Sequence, residues 1–186
     1  MVRRPTLMDR LLEQSSHEYG PRTRVVAMLF LAPVFLVALP CIVIRLGATL
    51  DARMQWPPVL RPPSNLIFGL LLALPSGLLG LWANHSQFTI GRGTPVPLMA
   101  TQELIVEPPY TYSRNPMALG AIGMYLGIAL LFQSIGAVIL VLLFAAVLLT
   151  YIKRGEEKEM QARFGPEYLA YKQRTPFLIP RTRIRH

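Results

Sequence analysis

The sequence predicts an all-α integral membrane protein with about four transmembrane helices and a helical cytoplasmic C-terminal extension. Three observations predict it. Of the 186 residues, 52% are hydrophobic and only 16% are charged, with a mean hydropathy of +0.39; a soluble domain carries roughly a quarter charged residues. The apolar residues are blocked rather than scattered, with no charge in 25–44, 65–82 or 116–152. The 19 basic residues all lie outside these blocks.

Each element follows in order. A bilayer crossing needs about 20 apolar residues. The blocks therefore give spans near 25–44, 65–82, 116–133 and 134–152, the last two separated at the polar pair Gln133–Ser134. Residues 1–24 are polar and basic, too long and too acidic a lead for a cleavable signal, so the first helix is expected to remain as an anchor. They form a cytoplasmic N-terminal segment, and 25–186 reads as a single membrane domain. Sixteen basic residues fall in 1–24, 83–115 and 153–186, and three fall in 45–64. Short basic loops stay cytoplasmic. Both termini and the 83–115 loop are thus expected in the cytoplasm, as in a multi-pass protein of a prokaryotic inner membrane. The net charge of +9 is then a topology and lipid-surface signal. A nucleic-acid partner is not expected, for want of a basic helix with interleaved aromatics. Cys41 is a lone cysteine, and His17, His85 and His186 lack ligand spacing, so no metal site is expected. No phosphate-binding or dinucleotide glycine loop is present. Oligomeric state is not legible.

Polar chemistry concentrates in two blocks. The first is "GRGTPVPLMATQELIVEPPYTYSRNP", residues 91–116. Its proline density predicts an extended, ordered path, with 104–106 as a short extended piece. Pro116 suits the first turn of the third helix, with Asn115 or Ser113 near its N-cap. The second is "IKRGEEKEMQARFGPEYLAYKQRTPFLIP", residues 152–180, read as a continuation of the fourth helix broken at Gly165–Pro166. In an antiparallel hairpin turning at 133–134, Asn115 comes level with Ile152, and 110–112 with Glu156. Ala145, Leu149, Ile152, Glu156 and Met160 share one stripe at helical spacing. Glu156 is therefore expected to point inward, with Arg114 or Arg154 as the ordinary ion-pair partner, while Glu157 meets solvent or Lys153.

These two blocks resemble the isoprenylcysteine carboxyl methyltransferase and phospholipid N-methyltransferase superfamily. Its pattern is Gly-x-Tyr-x-x-x-Arg-His-Pro-x-Tyr-x-Gly, then Glu-Glu-x-x-Leu-x-x-x-Phe-Gly-x-Glu-Tyr-x-x-Tyr. Matching positions are Tyr110, Arg114, Pro116, Gly120, Glu156, Glu157, Phe164, Gly165, Glu167, Tyr168 and Tyr171. Pro109, Asn115, Ala118 and Met160 depart from it. Asn115 replaces a histidine, which removes an imidazole base from that position but keeps a hydrogen-bond donor and acceptor.

The resemblance implies a methyltransferase using S-adenosylmethionine (SAM), with S-adenosylhomocysteine as product and a cofactor region over 93–120 and 152–180. Its walls would include Gln102, Glu103, Leu104, Ile105, Tyr110, Asn115, Pro116 and Ala118, closed by Glu156 and Glu157. Arg114, Asn115 and Glu156 would be the catalytic set. Glu156 would neutralise the ligand's cationic end, and Arg114 would pair with the ligand carboxylate or with a glutamate. The methyl acceptor would be lipidic or hydrophobic, bearing a carboxylate, amine or thiol; an amine must first lose a proton, to Glu156, Glu157 or Tyr112. Two alternatives stand beside it: a related membrane reductase using NADPH, and a non-catalytic lipid-binding or scaffold protein of the bilayer.

Overall fold

A computed structural model describes residues 19–92 and 101–180. The N-terminal 1–18, the 93–100 part of the expected cofactor region, and the basic tail 181–186 lie outside the described residues. All regular secondary structure among the described residues is helical. Its elements are α1 (Pro21–Pro33), a π-helical turn (Val34–Ala38), α2 (Leu39–Met54), α3 (Ser64–Thr89), α4 (Pro116–Leu131), α5 (Ile135–Tyr151), a second π turn (Ile152–Glu156) and α6 (Glu157–Arg174). Three helical stretches are long and apolar enough to cross a membrane: Pro21–Met54, Ser64–Thr89 and Ile135–Arg174. The shorter Pro116–Leu131 is also apolar. No strand forms among the described residues, and 104–106 run without regular structure.

The charge-free blocks mark the lengths that suit hydrocarbon, not the helix ends. The first helix continues past residue 44 through Arg45, Asp51 and Arg53. It stops where Gln55 turns left-handed at φ 53°, just before Pro57 and Pro58. The second runs on past residue 82 to Thr89. Ile135–Arg174 is 40 residues, and the part before the kink at Gly165 alone gives about 45 Å of helix against about 30 Å of hydrocarbon. Charges begin at Lys153, so the apolar part ends at Ile152 and the remainder lies beyond the spanning segment.

The interruptions have local causes. Pro40 has no N–H, and its ring crowds the carbonyl four residues back. The helix widens just before it, with the Leu39 N–H reaching the Val34 carbonyl, five residues back. At the α4–α5 turn Gln133 adopts φ 59°. The Ser134 hydroxyl then accepts the Ala137 N–H at 2.9 Å, capping α5. Gly165, at φ 49° and ψ −125°, breaks α6 at the expected Gly–Pro pair.

The chain forms two compact units. One comprises 29–81 and 117–149. Its helices approach through small residues. A Cβ added to Gly127 would lie 2.5 Å from the Ala73 nitrogen, and one on Gly120 would lie 2.6 Å from the Gly80 nitrogen. Asp51 Oδ1 accepts the Gly136 N–H at 2.7 Å, Asn65 Nδ2 donates to the Leu131 carbonyl at 3.0 Å, and the Tyr125 hydroxyl donates to the Phe35 carbonyl at 2.6 Å. Large apolar side chains face outward, Leu71 at 66% and Val147 at 71% exposed. That pattern suits lipid as the surrounding medium.

Candidate functional site

The described part of the other unit comprises 19–28, 82–92, 101–116 and 150–180, and it holds the polar chemistry. Arg114 sits at the end of the proline-rich segment, just before Pro116 opens α4. Its backbone N–H donates to the Pro176 carbonyl at 2.9 Å, and its guanidinium lies 5.6 Å from the Phe177 ring centroid. Asn115 Nδ2 donates to the Phe177 carbonyl at 2.8 Å, while the Asn115 N–H donates to the Ser113 hydroxyl. The Tyr171 hydroxyl donates to the Tyr110 carbonyl at 2.8 Å. Segment 107–115 is thus fastened to 171–177 by both backbone and side-chain bonds. Tyr171 is buried, as are the neighbouring Ser113, Tyr168 and Thr175.

An ion-pair triad sits within this frame. Arg114 Nη1 lies 2.5 Å from Glu157 Oε1, and both side chains are nearly inaccessible. Lys172 Nζ donates to Glu157 Oε2 at 2.7 Å. Glu157 therefore carries two cations, one on each oxygen. The expectation that Glu157 meets solvent or Lys153, and that Arg114 or Arg154 pairs with Glu156, is corrected here: Glu157 is the buried, paired acid. The stripe assumed an unbroken 3.6-residue period, but Ile152–Glu156 is a π turn. The Glu157 N–H reaches the Ile152 carbonyl, five residues back, so the face that buries Ile152 next buries Glu157 instead of Glu156. The hairpin register itself holds within a turn, since Arg114 and Glu157 meet.

Glu156 is half-buried and forms no ion pair among the described residues. Burial, with the nearby Glu159 charge, pushes its carboxyl up to about 7. Its charge also reaches Tyr110, whose hydroxyl is held well above the usual phenol range, chiefly by desolvation. Tyr168 and Tyr171 are raised as well, again mainly by burial.

The structure thus gathers Tyr110, Arg114, Asn115, Glu156 and Glu157, with Pro116 buried beside them. The remaining expected wall residues are placed differently. Gln102 bonds through its N–H to the Gly91 carbonyl at 2.7 Å. Glu103 is exposed and pairs with Arg92 at 3.5 Å. Leu104 is half-buried and Ile105 is buried. Arg163 donates to the Thr101 carbonyl. Ala118 lies in α4, in the other unit.

Sequence reasoning missed Lys172 and Phe177 in the site, and a buried polar residue in the same unit, Asn84. Lys172 and Phe177 needed the fold of the C-terminal segment. Asn84 lies on α3 beyond the apolar block, in "WANHSQ", and its Oδ1 is buried with no hydrogen-bond partner among the described residues. The signal was a polar cluster inside a helix that the charge-free block ended too early. Among the described residues no group of His, Cys, Asp and Glu is arranged to hold a metal ion.

A family model for phospholipid methyltransferases matches residues 64–167, more than half of the chain, and takes in α3, α4, α5, the Arg114 segment and the glutamate pair. The chain belongs to the phospholipid methyltransferase family. It is a membrane methyltransferase by family. No curated protein and no solved structure matches it.

Proposed function

We propose that this protein transfers a methyl group from SAM to a lipidic or hydrophobic acceptor, with Glu156 as the carboxylate that receives the cationic part of the cofactor. The observation that carries this reading is the division of labour between two adjacent acids. Glu157 is neutralised by Arg114 and Lys172. Glu156 is held half-buried beside Tyr110 with no cation of its own. A carboxylate kept away from water without a partner is unfavourable, and a ligand cation relieves that.

The residues fit SAM in kind. Its ammonium and sulfonium call for a negative charge, which Glu156 offers once ionised. When bound, SAM supplies a methyl group already activated on a sulfonium. The chain's own part is to bind, orient and exclude water. In this reading Arg114 is a positioning residue through Glu157, and Asn115 fixes the 171–177 segment by its bond to Phe177. The site and both termini face the cytoplasm, on the strength of the 16-to-3 basic asymmetry.

The test is to incubate membranes overexpressing the protein with methyl-labelled SAM and extract the lipids. Label should enter a hydrophobic product with the natural chain and fall sharply with Glu156→Gln. No labelled product above background would overturn the reading. Removing a charge-assisted contact costs about 1.5–3 kcal/mol, a loss in SAM affinity of roughly 10- to 150-fold. Reporter fusions placed in the 55–63 loop, after residue 100 and after residue 186 should report outside, inside and inside; an outward C-terminus would overturn the orientation.

A further inference from the structure

The stretch 151–158 reads "YIKRGEEK", with three cations and two acids, and on paper it is nearly balanced. The fold sorts the two signs. Glu157 is buried against Arg114 and Lys172, and Glu156 is half-buried. Lys153, Arg154 and Lys158 are exposed, and none of them forms an ion pair among the described residues. The next acid, Glu159, is half-buried against Arg163 at 3.4 Å. The outward face of this turn therefore carries three unmatched positive charges. In contrast, Arg92, Arg114, Arg163 and Lys172 all have carboxylate partners.

The position of these cations decides what they meet. They follow directly on the uncharged α5, whose last residue, Tyr151, is 48% exposed. An exposed tyrosine at the end of an apolar helix sits at the headgroup level. Lys158 is six residues beyond Ile152, about 9 Å of helix rise. The headgroup layer adds roughly 5–7 Å to each side of the hydrocarbon, and long cationic side chains reach back toward it. Arg154 and Lys158 lie one turn apart, so they present a single face.

We infer that Tyr151, Lys153, Arg154 and Lys158 form a binding surface for the headgroups of anionic phospholipids. The π turn is what creates it. By adding one residue to the turn it carries Glu157 into the interior and leaves the cations outside. This surface stands apart from the methyl-transfer reading and does not depend on it.

The experiment uses the full chain purified in a neutral detergent. It is titrated with phosphatidylglycerol or with phosphatidylcholine of the same acyl chains, and the melting temperature is followed. Phosphatidylglycerol should raise the melting temperature and phosphatidylcholine should not, and added salt should weaken the effect. The variant K153Q/R154Q/K158Q should melt like the natural chain in detergent alone yet lose the phosphatidylglycerol response. Lys158→Gln alone keeps the test usable if the triple variant folds poorly. Each cation removed should weaken apparent affinity about fivefold. Equal stabilisation by both lipids, or a full response in the variants, would overturn the inference. So would equal stabilisation by soluble glycerol phosphate, which would mark a free-phosphate site.

Discussion

The two units hold themselves together by opposite means. In 29–81 with 117–149 the contacts run between backbones. Gly120 faces Gly80, Gly127 faces Ala73, and Gly123 faces Ser76. Where the surroundings are as apolar as the side chains, burying leucine gains nothing, and close approach through small residues is what remains. In 101–116 with 150–180 the contacts run through long polar side chains. Arg114, Glu157, Lys172, Tyr171 and Asn115 bind one another or a neighbouring carbonyl. The difference teaches where substitutions should act. Adding atoms should damage the first unit, and removing atoms should damage the second.

The largest effect expected is at Arg114. Its side chain and that of Glu157 are both about nine-tenths hidden, and removing one partner of a buried pair costs about 3–5 kcal/mol. Lys172 still neutralises one Glu157 oxygen, so Arg114→Ala should fall near the lower end. Pairing it with Glu157→Gln should recover part of the loss, because the stranded charge is then gone. Thermal melts of the single and double variants in detergent give the cycle. Additive losses would show that the pair is not coupled.

Next in size is Gly127→Leu in the other unit. The new Cβ would meet backbone atoms of Ala73 at 2.5 and 2.7 Å, and backbone cannot turn aside as a side chain can. Overpacking of this kind costs about 1–3 kcal/mol. That exceeds the roughly 0.8–1.0 kcal/mol of helix propensity regained on leaving glycine. A raised melting temperature would show that the helices separate freely there. Asp51→Ala should cost less, about 0.5–2 kcal/mol, by uncapping the Gly136 N–H. Asp51→Asn, which keeps an acceptor oxygen, should restore most of it.

Most of the architecture was legible because hydrocarbon imposes a simple length rule. The four apolar helices, the turn at Gln133–Ser134 and the break at Gly165 all follow from charge-free length and from glycine and proline. Helix ends were less legible. Arg45, Asp51 and Arg53 close an uncharged block, yet helical hydrogen bonds tolerate charge and stop only at the Gln55 turn. In the site, the meeting of the 110–115 segment with 152–157 followed from the hairpin register alone. The assignment of the two glutamates did not. It turns on a single extra residue in the Ile152–Glu156 turn, and no 3.6-residue pattern reveals a change of period. Lys172 was out of reach for a different reason, since its bond to Glu157 crosses fifteen residues and the kink at Gly165.

The smallest stability effect expected is the most specific, and it sharpens the contrast between Glu156 and Glu157. Glu156 is pushed up to about 7 from an ordinary value of 4.5, first by burial and then by the Glu159 charge. The folded protein therefore holds a proton that the unfolded chain has released by about pH 5. Stability from this group is fully present below the unfolded value and is lost as pH rises through about 7. The melting temperature should accordingly decline between pH 5 and 8, and Glu156→Gln, which cannot ionise, should flatten that slope. The binding of a cationic ligand should move the other way. It strengthens as Glu156 ionises, so the SAM-induced melting shift should grow over the same interval in the natural chain and stay small in Glu156→Gln. Melting curves with and without SAM at five pH values separate the two trends. A Glu156→Gln variant that keeps the natural slope would place the titrating group elsewhere. A SAM shift independent of pH in the natural chain would remove Glu156 from the cofactor's cationic end.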